Sequence, residues 1–330
     1  MLKKSLLYVF CSCLLAFNAC NKDEEEISTP SYRDQNWFVI PDKPGELNQL
    51  VYKIYNETGI PIFVNDTLGE EYYAKDAQGN LLVRVETFNL LYEIFGEAPS
   101  PNFQPTRHAV FSTDTAAMLL AVQMIRDKVI PYLPKEGEYR PKSYLLVDSI
   151  NDLKTVMDWS TWDDVVLTYT SSTYSAQKGV VVGLLGDLKK MIEADDKEGI
   201  DWWCARIIAS KVVKWMLAGN VDLTEWYDIT YENWVSYEEA RFAYDVEDYE
   251  ENVKESAGML SYCVDNPEVR VLVSEEQDLL DYVALVYIYR GREQEFYANP
   301  DYNYDRVHRK FEGIQEFVAA FESLNPMPRK

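Results

Sequence analysis

Apolar residues at Leu47, Leu50, Val51, Ile54 and Tyr55 recur at helical spacing and predict a helix from Glu46 to Thr58, with Gly59 as its stop. Ile60 to Val64 reads as a strand, restricted by Pro61 to an edge or first position. The more polar region 66–108 holds short strand candidates such as Leu81 to Val85. Asp114 is placed to cap a helix from Thr115 to Ile130, broken by Pro131. Tyr144–Val147, Val165–Tyr169 and Val180–Leu185 read as strands. A helix follows from Asp201 to Leu217 with Gly219 as its stop, then helices near Ser274–Tyr289 and Asp305–Leu324. This order predicts one α+β domain with a small mixed sheet and a mostly helical C-terminal lobe. It divides into a sheet-containing part, 46–199, and a helical part, 200–330. No internal repeat is visible.

The first residues follow another pattern. Lys3 and Lys4 precede a mostly apolar stretch from Leu6 to Phe17, too short for a permanent membrane span and suited to a cleavable signal peptide over residues 1–19. It ends Phe17-Asn18-Ala19-Cys20, which resembles the lipobox read by the lipoprotein signal peptidase. That resemblance implies lipid, palmitate included, on Cys20 of the mature chain. Residues 20–45, with Pro30, Pro41 and Pro44, read as a flexible acidic tether. The run Asp23-Glu24-Glu25-Glu26 resembles the signal that sends some lipoproteins to the outer face of the outer membrane. The expectation is a lipid-anchored protein facing the cell exterior.

Charge narrows the partners. The chain carries a formal net charge of −23, and removing residues 1–19 deletes two lysines and no acids, giving −25. Such a surface repels phosphate backbones and anionic lipid, which argues against nucleic-acid binding and leaves membrane attachment to the lipid. Three cysteines remain after cleavage, Cys20, Cys204 and Cys263. The last two read as separate buried thiols rather than a disulfide framework.

Candidate chemistry is sparse. Zinc hydrolysis usually needs two histidines one helical turn apart and a distant carboxylate. The chain has two histidines in all, His108 and His308, in no such motif. Both read as ordinary surface or half-buried residues. No nucleophile elbow, P-loop or dinucleotide fingerprint is present. Cys204 lies between Trp203 and Ala205, apolar surroundings that favour an inert thiol. Carboxylates are abundant, so a glycosidase-like pair stays open. Glu238-Glu239 and Asp248-Tyr249-Glu250-Glu251 read as solvated helix faces.

Four segments resemble the zinc-binding metallopeptidase family, also described as substrate-import-associated zinc metallohydrolase lipoproteins. The likeness spans roughly residues 46–325. Glu46-Leu47 through Tyr55 with Ile60–Val64 resembles the opening helix and strand. Ile125–Tyr132 with Tyr144–Val147 resembles the next helix and strand, and Val165–Tyr169 with Gly179–Leu184 the strands before the metal helix. The family carries H-E-x-x-H on that helix, and Ser210-Lys211-Val212-Val213-Lys214 lies over it. Ser210 and Lys214 then replace the histidines, and Lys211 the general-base glutamate. Ser274–Asp281 lies over the family's second segment, with Asp281 at the third ligand. Protonated lysines are poor zinc ligands, so the resemblance implies a zincin-like fold without metal, cofactor or catalytic residues. It also implies that a Lys214–Asp281 ion pair stands in for the cation.

The family name further implies an accessory or binding role in TonB-dependent nutrient import, beside a transporter or other surface lipoproteins. Trp226, Tyr227, Tyr231 and Trp234 are candidates for a stacking surface, although packing of the helical lobe accounts for them more simply. The alternative reading is an active peptidase or glycosidase with a carboxylate-based site. A purely structural subunit of a surface assembly is the third.

Overall fold

In the first helix, α1 (Glu46–Thr58), the apolar spacing does what it predicts: Leu47, Val51 and Ile54 are buried. Gly59 ends the helix at φ +72°, and its N–H returns to the Tyr55 carbonyl. The protein is represented by a computed structural model that describes residues 36–87, 107–158, 160–176, 179–232, 235–244, 253–325 and 327–328. The signal peptide, Cys20, the acidic run, Trp234 and Asp248–Glu251 lie outside the described residues. Residues 38–330 cluster as one unit.

Strand β1 is only Ile62–Phe63. The polar region after it contains a hairpin, β2 (Thr67–Lys75) and β3 (Leu81–Thr87), so the Leu81–Val85 strand has a partner that was not foreseen. Asp76 Oδ1 accepts from the Gln78 and Asn80 amides and closes the turn. After β4 (Arg107–Val110), Asp114 caps α2 (Thr115–Met124), accepting 3.0 Å bonds from the Ala116 and Ala117 amides. The helix does not run regularly to Ile130. It widens into a π-turn at Ile125–Val129 and tightens into a 3-10 turn at Ile130–Tyr132, because Pro131 has no N–H to continue the ladder.

The central sheet has the order β1-β5-β9-β8, with β5 (Tyr144–Leu146), β8 (Thr173–Ser175) and β9 (Val180–Val182). The first three strands run parallel and β8 is an antiparallel edge. Every residue of β5 and β9 is buried, the continuous apolar run expected of parallel strands covered on both faces. The strand expected over Val180–Leu185 stops at Val182. Leu184 adopts φ +60° and turns the chain into α3 (Leu185–Glu193).

Two further sheets were not foreseen. The first, β4-β6-β7, adds β6 (Ser149–Asp158) and β7 (Asp163–Ser171); only Val165–Tyr169 of β7 was expected. The second, β10-β12-β11, joins Ala240–Phe242, Val269–Leu272 and Tyr262–Asp265, and sits in the half expected to be mostly helical. Val156 of the first sheet and Phe242, Val264, Val269 and Val271 of the second share a small core. Glu238 and Glu239 lie in the turn before β10, with Glu238 at φ +65°, and not on a helix face.

The remaining helices are α4 (Lys197–Trp215), α5 (Thr224–Tyr231), α6 (Val253–Ser256), α7 (Glu275–Ile288), α8 (Glu293–Ala298) and α9 (Asp305–Leu324). From Trp203 to Trp215, α4 is buried almost all round, between the central sheet and α7. Asp278 on α7 and Lys310 on α9 form an ion pair with no exposed side-chain surface on either partner. Lys310 Nζ also donates to Thr230 Oγ1 at 2.9 Å and Tyr237 Oη at 3.1 Å, and lies 4.1 Å from the Trp226 ring centroid. Burial pushes the Asp278 carboxyl upward against the opposing pull of Lys310.

Removing one member of a buried pair strands the other charge, so Lys310→Met is expected to cost about 3–5 kcal/mol. Adding Asp278→Leu is expected to recover most of that loss, because Thr230 and Tyr237 still bond each other. Denaturant unfolding of the two variants and the parent checks both statements.

Candidate functional site

Asp196 starts α4 by accepting the Gly199 amide at 3.0 Å, and Trp203 Nε1 ties the helix to the Gly183 carbonyl at the end of β9. Farther along, Lys211 Nζ donates to the carbonyls of Ala176 (2.8 Å) and Gly179 (3.3 Å), and Lys214 Nζ to Ala176 (3.2 Å). Both ammonium groups therefore reach the connection between β8 and β9. Gly179 is required there: a Cβ would lie 2.7 Å from the Ser143 carbonyl oxygen. Ser210 uses its hydroxyl on its own helix, donating to the Ile207 carbonyl at 2.8 Å.

Asp281 projects from α7 toward α4 with no exposed side-chain surface. Its ionic partner is Arg206 and not Lys214. Arg206 reaches Oδ1 through Nε at 2.9 Å and through Nη2 at 2.8 Å. Gln277 Nε2 donates to the same oxygen at 2.8 Å, and Ser261 Oγ to Oδ2 at 2.5 Å. The expected Lys214–Asp281 pair is thus replaced by a pair about two helical turns earlier on α4. Both carboxylate oxygens are already in use.

The four positions expected over a metal motif, Ser210, Lys211, Lys214 and Asp281, do not fit a metal. Two carry ammonium groups acting as donors, one carries a hydroxyl bonded to its own helix, and the carboxylate is already paired with a guanidinium. Among the described residues, no group of three or more His, Cys, Asp or Glu is placed to hold a metal ion. His108 is exposed on β4, and His308 packs against the rings of Phe296 and Tyr297.

Arg206, Ser210 and Gln277 open onto a polar cleft of about 280 Å³, bordered by β7, β8, β11 and the start of α7. On another wall Arg107 Nε donates to Asp152 Oδ1 at 2.5 Å, and Ser171 Oγ to Asp152 Oδ2 at 2.7 Å. Burial pulls the Arg107 guanidinium down, but the bond to Asp152 and its charge outweigh this and hold it above its ordinary value. The Arg107 guanidinium lies over the Tyr174 ring, 4.5 Å from its centroid. Burial, then Asp152, pushes the Tyr169 phenol up to about 12, so it remains a neutral donor. Cys263 also borders the cleft. Burial pushes its thiol up to about 11, which removes it as a nucleophile at neutral pH.

Among the described residues no strand pairs with the outer edge of β8. The Gly183 amide bonds the Ser172 carbonyl and the Ala176 amide bonds the Gly179 carbonyl, so alternation turns the main-chain groups of Thr173 and Ser175 away from β9.

The aromatic candidates fall elsewhere. Trp226 is buried, donates to the Lys310 carbonyl at 2.9 Å and meets Tyr282 edge-on. Tyr227 and Tyr231 pack against Tyr237. They hold the helical lobe together. Cys204 and Cys263 are free thiols, as the sequence led us to expect. Arg206 was the residue missed, although it is the one charge in the otherwise apolar segment 203–209. The chain matches no family model, no curated protein and no solved structure among those compared.

Arg206→Met leaves Asp281 charged and buried, and is expected to cost about 3–5 kcal/mol. Lys214→Met removes only a bond to a carbonyl and is expected to cost no more than about 1.5 kcal/mol. Unfolding midpoints of the two variants measured side by side decide which cation carries the site.

Proposed function

We propose that this protein is a non-catalytic binding protein on a zincin-like framework, anchored by lipid at Cys20 on the outer face of the outer membrane, where it serves TonB-dependent import. The observation that carries the non-catalytic reading is Asp281. Its charge is already compensated by Arg206 and it accepts from Gln277 and Ser261, and no histidine, cysteine or further acid among the described residues joins it in a ligand set. A mixed sheet with an antiparallel edge strand, followed by a long buried helix, supports the zincin-like reading. The open edge of β8 and the polar cleft beside it support binding. Among the described residues no helix is long and apolar enough to cross a membrane, and the anchor rests on the Phe17-Asn18-Ala19-Cys20 sequence alone.

Two measurements test this reading. Protein purified without chelator is expected to hold zinc far below one equivalent and to turn over neither peptide nor glycan substrates. Stoichiometric zinc, or hydrolysis lost on Glu276→Gln, overturns the non-catalytic assignment. Separately, Cys20→Ala is expected to abolish incorporation of labelled palmitate and release the protein from the membrane fraction. Labelling that survives the substitution removes the anchor.

A further inference from the structure

Three features of the cleft restrict what it can hold. Its charges cancel internally: Arg107 with Asp152, Arg206 with Asp281, and Lys154 with Glu238 at 2.6 Å. Glu276 is left over as a carboxylate with no ionic partner among the described residues. The cleft therefore has no positive charge to offer an anion, and the acidic surface around it adds repulsion. A guanidinium held on a buried carboxylate still keeps N–H groups to donate, but as a fixed fork and not as a free charge.

Second, hydroxyls are concentrated at one wall, in the run Thr170 to Ser175. Ser172 is 6% exposed and its Oγ has no hydrogen-bond partner; Ser175 Oγ is buried and likewise unpartnered among the described residues. A buried hydroxyl without a partner costs stability that a ligand can return by bonding it. A hydroxyl both donates and accepts, which matches another hydroxyl better than it matches a group of one polarity. Third, the rings of Tyr169, Tyr174 and Tyr262 border the same space and offer apolar faces with polar edges.

Extended peptide is the competing occupant, because β8 has an open edge. That edge is only Thr173–Ser175, too short for more than a few main-chain bonds, and the cleft is lined mainly by polar groups where a peptide's side chains need apolar pockets. From these observations we infer that the cleft between β7, β8, β11 and α7 binds a neutral, polyhydroxylated ligand, one or two units of a carbohydrate. The volume of about 280 Å³ lies near the lower end of small-molecule sites and suits a short saccharide segment. This rests on the non-catalytic reading above and names its ligand class.

The test uses the full mature lipoprotein in detergent. It is screened against immobilised neutral oligosaccharides of glucose, mannose, xylose and galactose, acidic uronate oligosaccharides, and a library of extended peptides. Any binder is then titrated at low and high salt. The expected result is a neutral oligosaccharide bound unaltered, with an affinity that does not change with salt. Ser172→Ala with Ser175→Ala is expected to weaken it about five- to tenfold, and among the described residues these hydroxyls have no partner whose loss would unfold the chain. Tyr262→Ala is expected to weaken it further. Selective binding of peptide or uronate, no neutral binder in the panel, or affinity unchanged in both variants overturns the inference while leaving the non-catalytic reading intact. Cleavage of the bound oligosaccharide instead overturns that reading.

Discussion

Helix α7 buries two carboxylates one turn apart, Asp278 and Asp281, and neither can be left without a cation. Water is excluded from both side chains, so each charge needs a partner brought by another element. Lys310 comes from α9 to the first and Arg206 from α4 to the second. Apolar burial along α4, α7 and α9 supplies most of the attraction between these helices, but apolar contact is tolerant of register. A shift of α9 or α4 by a turn would leave a buried charge alone, at a cost of about 3–5 kcal/mol. The pairs therefore set the alignment that the core then fills.

The same requirement shapes the cleft. Arg206 is fixed at the surface of α4 because Asp281 holds it from beneath, and Ser261 and Gln277 are drawn in to complete the carboxylate's bonding. Arg107 is fixed on β4 in the same manner by Asp152 and Ser171. Two guanidinium groups thus line the opening with their charge already compensated. Hydroxyls of β7 and β8 form one further wall of the cleft, and they can be bonded without displacing any ion pair.

Local signals were legible in the sequence and remote ones were not. The spacing of Leu47, Val51 and Ile54, the stop at Gly59 and the cap at Asp114 each depend on residues within one turn of one another. Strands β10, β11 and β12 run three or four residues, too few for an alternating pattern to stand out, and they form because Val264, Val269 and Val271 meet Val156 from a distant hairpin. Asp281 was recognisable as an acid of consequence because of its place in the segment from Ser274. The resemblance places a cation for it at Lys214, and the real partner, Arg206, stands about two turns closer to the start of the helix. Lys310 gave no sign at all: a lysine between Arg309 and Phe311 on an amphipathic helix looks exposed until the fold places Asp278 opposite it.

The lysines at 211 and 214 still have a task, and it explains why cations persist on that face of α4. Each ends on backbone carbonyls at the β8–β9 connection, where Gly179 must lie directly against Ser143. Carbonyls turned inward at such a crossing need donors, and a long side chain with an ammonium tip can reach them from a helix running beneath. A histidine at 214 would be shorter and end in a ring, and an ionised glutamate at 211 would have no proton to donate, so neither could take up the same bonds. The helix face is thereby committed to holding the edge strand in place, and it is this edge strand, with its outward Thr173 and Ser175, that borders the cleft. What lies under β8 is a clamp, and in the proposed binding role the hydroxyls above it are what remains to meet a ligand.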